Sequence, residues 1–157
     1  MIEVHTDGLC EPSNPNGVAT YGVIIEVVIG KDDRTEIYSA HGVIGEGEGM
    51  TSVVAEYAGV ADALRILVGR SLTDREIIFY TDNQVVAKQL NGEWGTNQGA
   101  YLPYYFEAAK LKFNFKNLKF QWIPREENEK ADRLSREAYE RYMNAKDRTA
   151  KYHRRRR

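Results

Sequence analysis

Residues 76–82, EIIFYTD, make a strand-length run that is apolar on both faces. Such a strand needs cover above and below, which parallel strands reached through helical crossovers receive. The segment before it supplies a crossover. In TSVVAEYAGVADALRILVG, Val54, Ala58, Ala61, Leu64 and Val68 recur at helical spacing, Thr51 or Ser52 stands at the cap, and Gly69 ends the run. Upstream, residues 2–6 read as a short strand. YGVIIEVVIG and EIYSAHGVIG, β-branched and aromatic around the turn-forming GKDDR, predict a hairpin. Downstream come a short helix, NQVVAKQLNG, then a loop, GEWGTNQG, and a helix, YLPYYFEAAKLKF, with Pro103 in its first turn. Its Tyr101, Tyr104, Tyr105 and Phe106 are expected in the core. LKFQWIP alternates with Leu118, Phe120 and Trp122 on one face, and Pro124 stops it. EENEKADRLSREAYERYMNA is the last helix, with Ala131, Leu134 and Ala138 on its buried stripe. The order βββαβααβα predicts an α/β fold. Its sheet is five-stranded and mixed, three antiparallel strands and then two parallel ones, with helices on both faces.

Charge is distributed unevenly along the chain. Residues 146–157, KDRTAKYHRRRR, hold seven Lys or Arg and one Asp, a net +6, whereas the preceding 145 residues carry −7. The chain therefore reads as one domain over 1–145 followed by a basic, flexible tail over 146–157, with a polyanion as the expected partner. No apolar run reaches the roughly 18 residues that span a bilayer, so no membrane partner is expected. MIEVHTD lacks the basic start and apolar core of a secretion signal, and the single Cys10 fits a reducing compartment. A cytoplasmic monomer is the expectation.

Four acids occupy comparable positions. Asp7 and Asp82 end strands, Glu56 lies in the first turns of the long helix, and Asp132 lies early in the last helix. If the two strands are neighbours, both aspartates project from the edge of the sheet where open α/β folds bind ligands. Carboxylates crowded together repel one another, and divalent magnesium, which prefers hard oxygen ligands, relieves that repulsion. No Cys/His cluster for zinc and no phosphate-cradling G-x-x-x-x-G-K-[ST] loop is present.

TDG around Asp7, AEY around Glu56, YTDNQVV around Asp82 and PREENEKADRLS around Asp132 resemble, in order and spacing, the four acidic motifs of type 1 ribonuclease H. The resemblance covers residues 1 to about 142. QLNGEWGTNQG and IPREENEKAD are similar to its compact, archaeal and plant-like branch, which lacks the basic protrusion of longer bacterial enzymes. The resemblance implies a ribonuclease H-like fold and an endonuclease that hydrolyses the RNA strand of RNA–DNA hybrids, leaving 3′-hydroxyl and 5′-phosphate ends. It implies two Mg²⁺ ions on Asp7, Glu56, Asp82 and Asp132, with Mn²⁺ as an alternative ion and duplex RNA as a further candidate substrate. Asp7 would bridge the ions, Asp132 would serve the one that activates water, and Glu56 and Asp82 the one at the leaving oxygen. Substrate contacts are implied at Gly8, Asn14, Thr51, Ser52, Asn83, Gln84 and Arg125. Two places depart from the family pattern: Ser52 and Val53 stand where paired asparagines are frequent, and Arg125 stands in the loop that often carries a histidine. His153 in the tail is a candidate auxiliary group in its place. The competing readings are another nuclease on this scaffold, a junction resolvase or exonuclease, or a non-catalytic hybrid-binding module. The last predicts a lost acid, and all four are present.

Overall fold

In the computed structural model, which describes residues 1–156, one sheet runs β3-β2-β1-β4-β5. The strands are β1 (Ile2–Glu11), β2 (Val18–Ile29), β3 (Asp33–Glu46), β4 (Glu76–Thr81) and β5 (Asn117–Trp122). The helices are α1 (Ser52–Gly69), α2 (Gln84–Leu90), α3 (Leu102–Lys112) and α4 (Glu129–Arg156), with a 3₁₀ turn at Arg125–Glu127. β1 pairs antiparallel with β2 and parallel with β4, and β4 pairs parallel with β5, as the element order requires. Among the described residues no helix is long and apolar enough to cross a membrane.

Each boundary has a local cause. Thr51 caps α1 by accepting the Val54 N–H at 3.0 Å. Gly30, at φ 70°, turns the β2–β3 hairpin in the left-handed region that glycine enters at no steric cost. The core lies between α1 and the sheet: Ile2, Val4, Val23, Ile25, Ile77 and Phe79 meet Tyr57, Val60, Leu64 and Leu67, all at most 1% exposed. Ile77–Phe79 are buried together, as their unbroken apolar run requires. α4 covers the opposite face across β1, β2 and β3.

Several expectations are corrected. β1 does not stop at Thr6 but continues to Glu11, because β2 goes on pairing with it through Glu11 and Val18. Only its first residues, Ile2–His5, pair with β4. Asp7 therefore sits where the parallel ladder ends and the antiparallel one carries on. The segment expected as a flexible tail is helical, since α4 runs unbroken to Arg156; Arg157 lies outside the described residues. Trp122 is 47% exposed, because it ends an edge strand, and Phe106 is 59% exposed on the outer side of α3. Tyr101, Tyr104 and Tyr105 do pack against the core.

Glycine sets how closely α4 approaches the sheet. A Cβ on Gly22, which pairs with Asp7 across the β1–β2 ladder, would lie 2.3 Å from the Ala131 carbonyl oxygen and 2.7 Å from Leu134 Cβ. Backbone cannot yield as a flexible side chain does. Gly22→Ala should therefore cost roughly 1–3 kcal/mol of stability, the usual range for overpacking. Denaturant unfolding checks this; an unchanged midpoint would mean that α4 rides freely over the sheet.

Candidate active site

Asp7, Glu56 and Asp82 each present a carboxylate oxygen within 4.8 Å of the others. They come from three elements. Asp7 lies where β1 leaves β4, Asp82 follows β4 directly, and Glu56 stands on the first turn and a half of α1. What joins them is close backbone contact at Gly8, where a Cβ would lie 2.4 Å from the Glu56 nitrogen. The Gly8 N–H donates to Asp7 Oδ1 at 3.0 Å and to Glu56 Oε1 at 3.1 Å. The Thr81 hydroxyl donates to the other Glu56 oxygen at 3.2 Å. Glu56 is thus oriented through both oxygens although it is only 2% exposed. The Trp122 indole N–H donates to the Asp82 carbonyl oxygen at 3.1 Å, tying β5 to the loop that carries this acid.

Asp132 reaches the site from the start of α4 and lies outside the group of three. The Asn128 amide donates to the Thr6 carbonyl oxygen at 2.8 Å, which holds the approach to α4 against β1 one residue before Asp7. Arg136, one turn later, pairs with Asp132 at 3.3 Å and with Glu11 at 3.4 Å. Neither Arg136 nor Glu11 was picked out in the sequence. The i, i+4 spacing of Asp132 and Arg136 was a legible signal, whereas the Glu11 contact depends on the unforeseen extension of β1.

Burial first, and then neighbouring charge, destabilise the ionised forms of these acids. Burial, then repulsion from Asp82, pushes the Asp7 carboxyl up to about 8. Burial and the Asp7 and Asp82 charges hold Glu56 well above the carboxylate range. Asp82 is raised less: burial lifts it, while a hydrogen bond with Asp7 and the Arg125 charge pull it down. All four acids line one open cavity of about 560 Å³, together with Gly8, Asn14, Ser52, Asn83, Gln84 and Arg125. Asn14 and Ser52 bond reciprocally, the Asn14 amide to the Ser52 hydroxyl at 2.9 Å and the Ser52 N–H to Asn14 Oδ1 at 3.2 Å. Asn83 caps α2 by accepting the Val86 N–H, which leaves Gln84 exposed at the helix start. Thr51 is occupied as the α1 cap beside the cavity rather than lining it. His153 is not brought there: it follows Asp132 by 21 residues of unbroken helix, about 30 Å of rise.

The donor set suits a hard divalent cation. It is all carboxylate oxygen, partly buried, preorganised by hydrogen bonds and relieved of repulsion by positive charge.

Residues 6–138 match the family described as reverse transcriptase-like. The chain is 30% identical over 125 residues to a bifunctional protein of Mycobacterium tuberculosis, a match covering 80% of this chain and 32% of that protein. It thus spans about a third of that curated relative's length. The N-terminal RNase H domain of the same mycobacterial protein, solved as a fusion with maltose binding protein, gives a TM-score of 0.77 at 28% identity, covering 95% of this chain and 97% of that one. LC11-RNase H1, solved in complex with an RNA/DNA hybrid, gives 0.78 at 29% identity over 91% and 99%. RNase H1 of the archaeon Halobacterium salinarum gives 0.73 at 27% identity over 88% and 97%.

The raised carboxyls make a signed stability prediction. Asp7 binds its proton more tightly folded, near pH 8, than unfolded, near the ordinary 3.8. Metal-free protein should therefore lose stability as pH rises from about 4 to about 8, by an amount on the order of a few kcal/mol. Asp7→Asn removes one ionising group while keeping an oxygen for the Gly8 N–H. Its melting temperature without metal should exceed the parent's at pH 8, and the gap should close toward pH 4. A gap independent of pH would show that repulsion is not its source.

Proposed function

From the premise that the chain belongs to the reverse transcriptase-like family, with the ribonuclease H fold, we propose that it hydrolyses the RNA strand of RNA–DNA hybrids. The carrying observation is the convergence of Asp7, Glu56 and Asp82 within 4.8 Å at the floor of a polar, open cavity. In this reading the cleavage is endonucleolytic, leaving 3′-hydroxyl and 5′-phosphate ends. Asp7, Glu56, Asp82 and Asp132 hold two divalent ions, Mg²⁺ or Mn²⁺. When bound, such ions make water nucleophilic at neutral pH and stabilise the departing 3′-oxygen.

The chain's own groups do the rest. The Gly8 N–H and Thr81 hydroxyl fix both oxygens of Glu56, so its ligand geometry is set before substrate arrives. Arg125, close enough to Asp82 to lower its pKa, and Arg136, beside Asp132, put positive charge at the cavity rim, where the RNA phosphates lie in this reading. Arg125 stays protonated at any working pH, so its part is electrostatic and not proton transfer. Asn14, Ser52 and Gln84 offer uncharged donors and acceptors on the cavity wall. Such groups read ribose 2′-hydroxyls across a minor groove, where RNA differs from DNA. Asn83 positions Gln84 by capping α2.

The deciding assay incubates the full chain with hybrid, duplex RNA and duplex DNA of one sequence, with Mg²⁺ or Mn²⁺. Cleavage confined to the RNA strand of the hybrid is expected, and cutting of duplex DNA would overturn the reading. Asp7→Asn should abolish cleavage while hybrid binding survives; near-parental turnover would remove Asp7 from the reaction. Gln84→Ala should cost about 1 kcal/mol, the worth of one hydrogen bond, or about fivefold in kcat/KM. That loss should vanish on hybrids whose 2′-hydroxyls at the cleavage site are replaced by hydrogen, compared by binding. An equal defect on both substrates would mean that Gln84 does not read the sugar.

A further inference from the structure

The last turns of α4 bury nothing, yet they are helical and fastened at a defined point. Lys146 Nζ donates to Glu46 at 2.7 and 2.9 Å, and the Tyr142 hydroxyl donates to the same carboxylate at 2.7 Å. Beyond Lys146 every residue through Arg155 is exposed. Arg148, Arg154 and Arg155 have no acidic partner among the described residues, and the one acid, Asp147, is taken by Lys151 at 3.1 Å. Positive side chains near a helix C-terminus favour the dipole, which helps account for the helix but not for its composition.

Helical spacing sorts these side chains by face. Tyr142 and Lys146 share the face turned to Glu46. Arg148, Lys151 and Arg155, at steps of three and four residues, fall on the opposite face and form a basic stripe turned away from the sheet. The stripe spans about 10 Å, roughly three phosphates at 3.4 Å of axial rise per strand.

The fastening point ties this stripe to the catalytic end of the sheet. Glu46 ends β3 opposite Val18, and Val18 lies opposite Glu11, which lines the cavity and holds Arg136. Two strand spacings, about 10 Å, separate Glu46 from Glu11. The chain on either side is tied to the cavity wall as well: the Gly47 N–H donates to the Gly17 carbonyl oxygen and the Asn16 N–H to that of Met50, flanking the loop that carries Asn14.

We propose that Arg148, Lys151 and Arg155 form a phosphate-binding arm that grips the backbone of the same nucleic-acid duplex whose RNA strand enters the cavity. The proposal rests on the hybrid-cleaving reading for the identity of that duplex. A lipid surface fits less well. Segment 147–155, DRTAKYHRR, carries only one large apolar side chain, Tyr152, and so lacks the apolar face that interfacial helices bury. The arm reads no sequence; it adds length to the footprint and salt-sensitive affinity.

The test compares the full chain with a form ending at Lys146 and with the triple variant Arg148→Glu, Lys151→Glu, Arg155→Glu. Both retain the Glu46 anchor, and circular dichroism and melting confirm the fold. Binding to a fluorescent RNA–DNA hybrid is measured without metal at 50–200 mM salt. Both variants should bind about tenfold more weakly at the low-salt end, with the slope of log K against log salt shallower by two to three, as expected for that number of lost phosphate contacts. Glu46→Gln should show a smaller loss of the same kind. In the cleavage assay KM should rise and kcat stay unchanged. Equal affinity and slope in all forms would overturn the arm, as would binding to anionic lipid vesicles with no preference for duplex. If the full chain cleaves no hybrid yet the variants still lose duplex affinity, the arm stands and the hydrolytic reading falls. If the truncated form cleaves hybrid with an unchanged KM, the hydrolytic reading stands and the arm falls.

Discussion

The backbone contact between Gly8 and the first turn of α1 is the constraint on which the site depends. With 2.4 Å between a would-be Cβ and the Glu56 nitrogen, no other residue type lets β1 and α1 approach this closely. The approach does two things at once. It carries the Glu56 carboxylate off the helix and onto Asp7, and it gives that carboxylate a donor in the Gly8 N–H. Gly22 plays the matching part on the other face, letting α4 descend until Asp132 arrives from the opposite side. Two glycines one register apart on one hairpin thus set the depth of both helices that deliver acids. The strand aspartates need no such device, because β1 and β4 are neighbours in the parallel ladder.

That proximity works against stability. Three acids with carboxylate oxygens within 4.8 Å of one another, two of them at most 5% exposed, have their pKa values raised by burial and by neighbouring charge, which makes the ionised cluster costly. The surroundings offset the cost only in part: Gly8 and Thr81 satisfy Glu56, Arg125 draws Asp82 down, and Arg136 neutralises Asp132. Asp7, with no ion-pair partner among the described residues, is left with the repulsion. A cation arriving among these oxygens would replace mutual repulsion by attraction, and a site strained in this way gains affinity by being preorganised and unsatisfied.

Much of this was legible in the sequence, for a physical reason. The switch from period two to period 3.6 and back marks each element, and Thr51, Gly69, Pro103 and Pro124 punctuate them by local chemistry that no tertiary contact needs to supply. The four acids could be named because each motif sits at an element end. What could not be read depends on pairing across the chain. TDGLCE looks like the end of a strand until β2 continues beside it, and only then do Glu11 and Arg136 meet. The helicity of 146–156 was hidden likewise. No apolar stripe announces it, and its anchor, Glu46, lies 100 residues earlier than Lys146. Phe106, read as core, faces outward because α3 packs through Tyr101, Tyr104 and Tyr105 instead.

On the hybrid-cleaving reading an acidic cavity must receive an anionic duplex, and the charge map of the chain fits that demand. The acids are concentrated where ions would neutralise them, while the cations stand off that centre, Arg125 and Arg136 at the rim and the α4 stripe farther out. A phosphate backbone approaching such a surface meets attraction first at the periphery, where the Debye length of about 8 Å at physiological salt still lets exposed charges act, and repulsion only at the centre. The sum near zero, −1 over the whole chain, conceals this separation. It also explains why the basic residues are fastened and not loose. A flexible polycation attached to this body could fold onto its acids, whereas a helix locked at Glu46 keeps Arg148, Lys151 and Arg155 facing away from them.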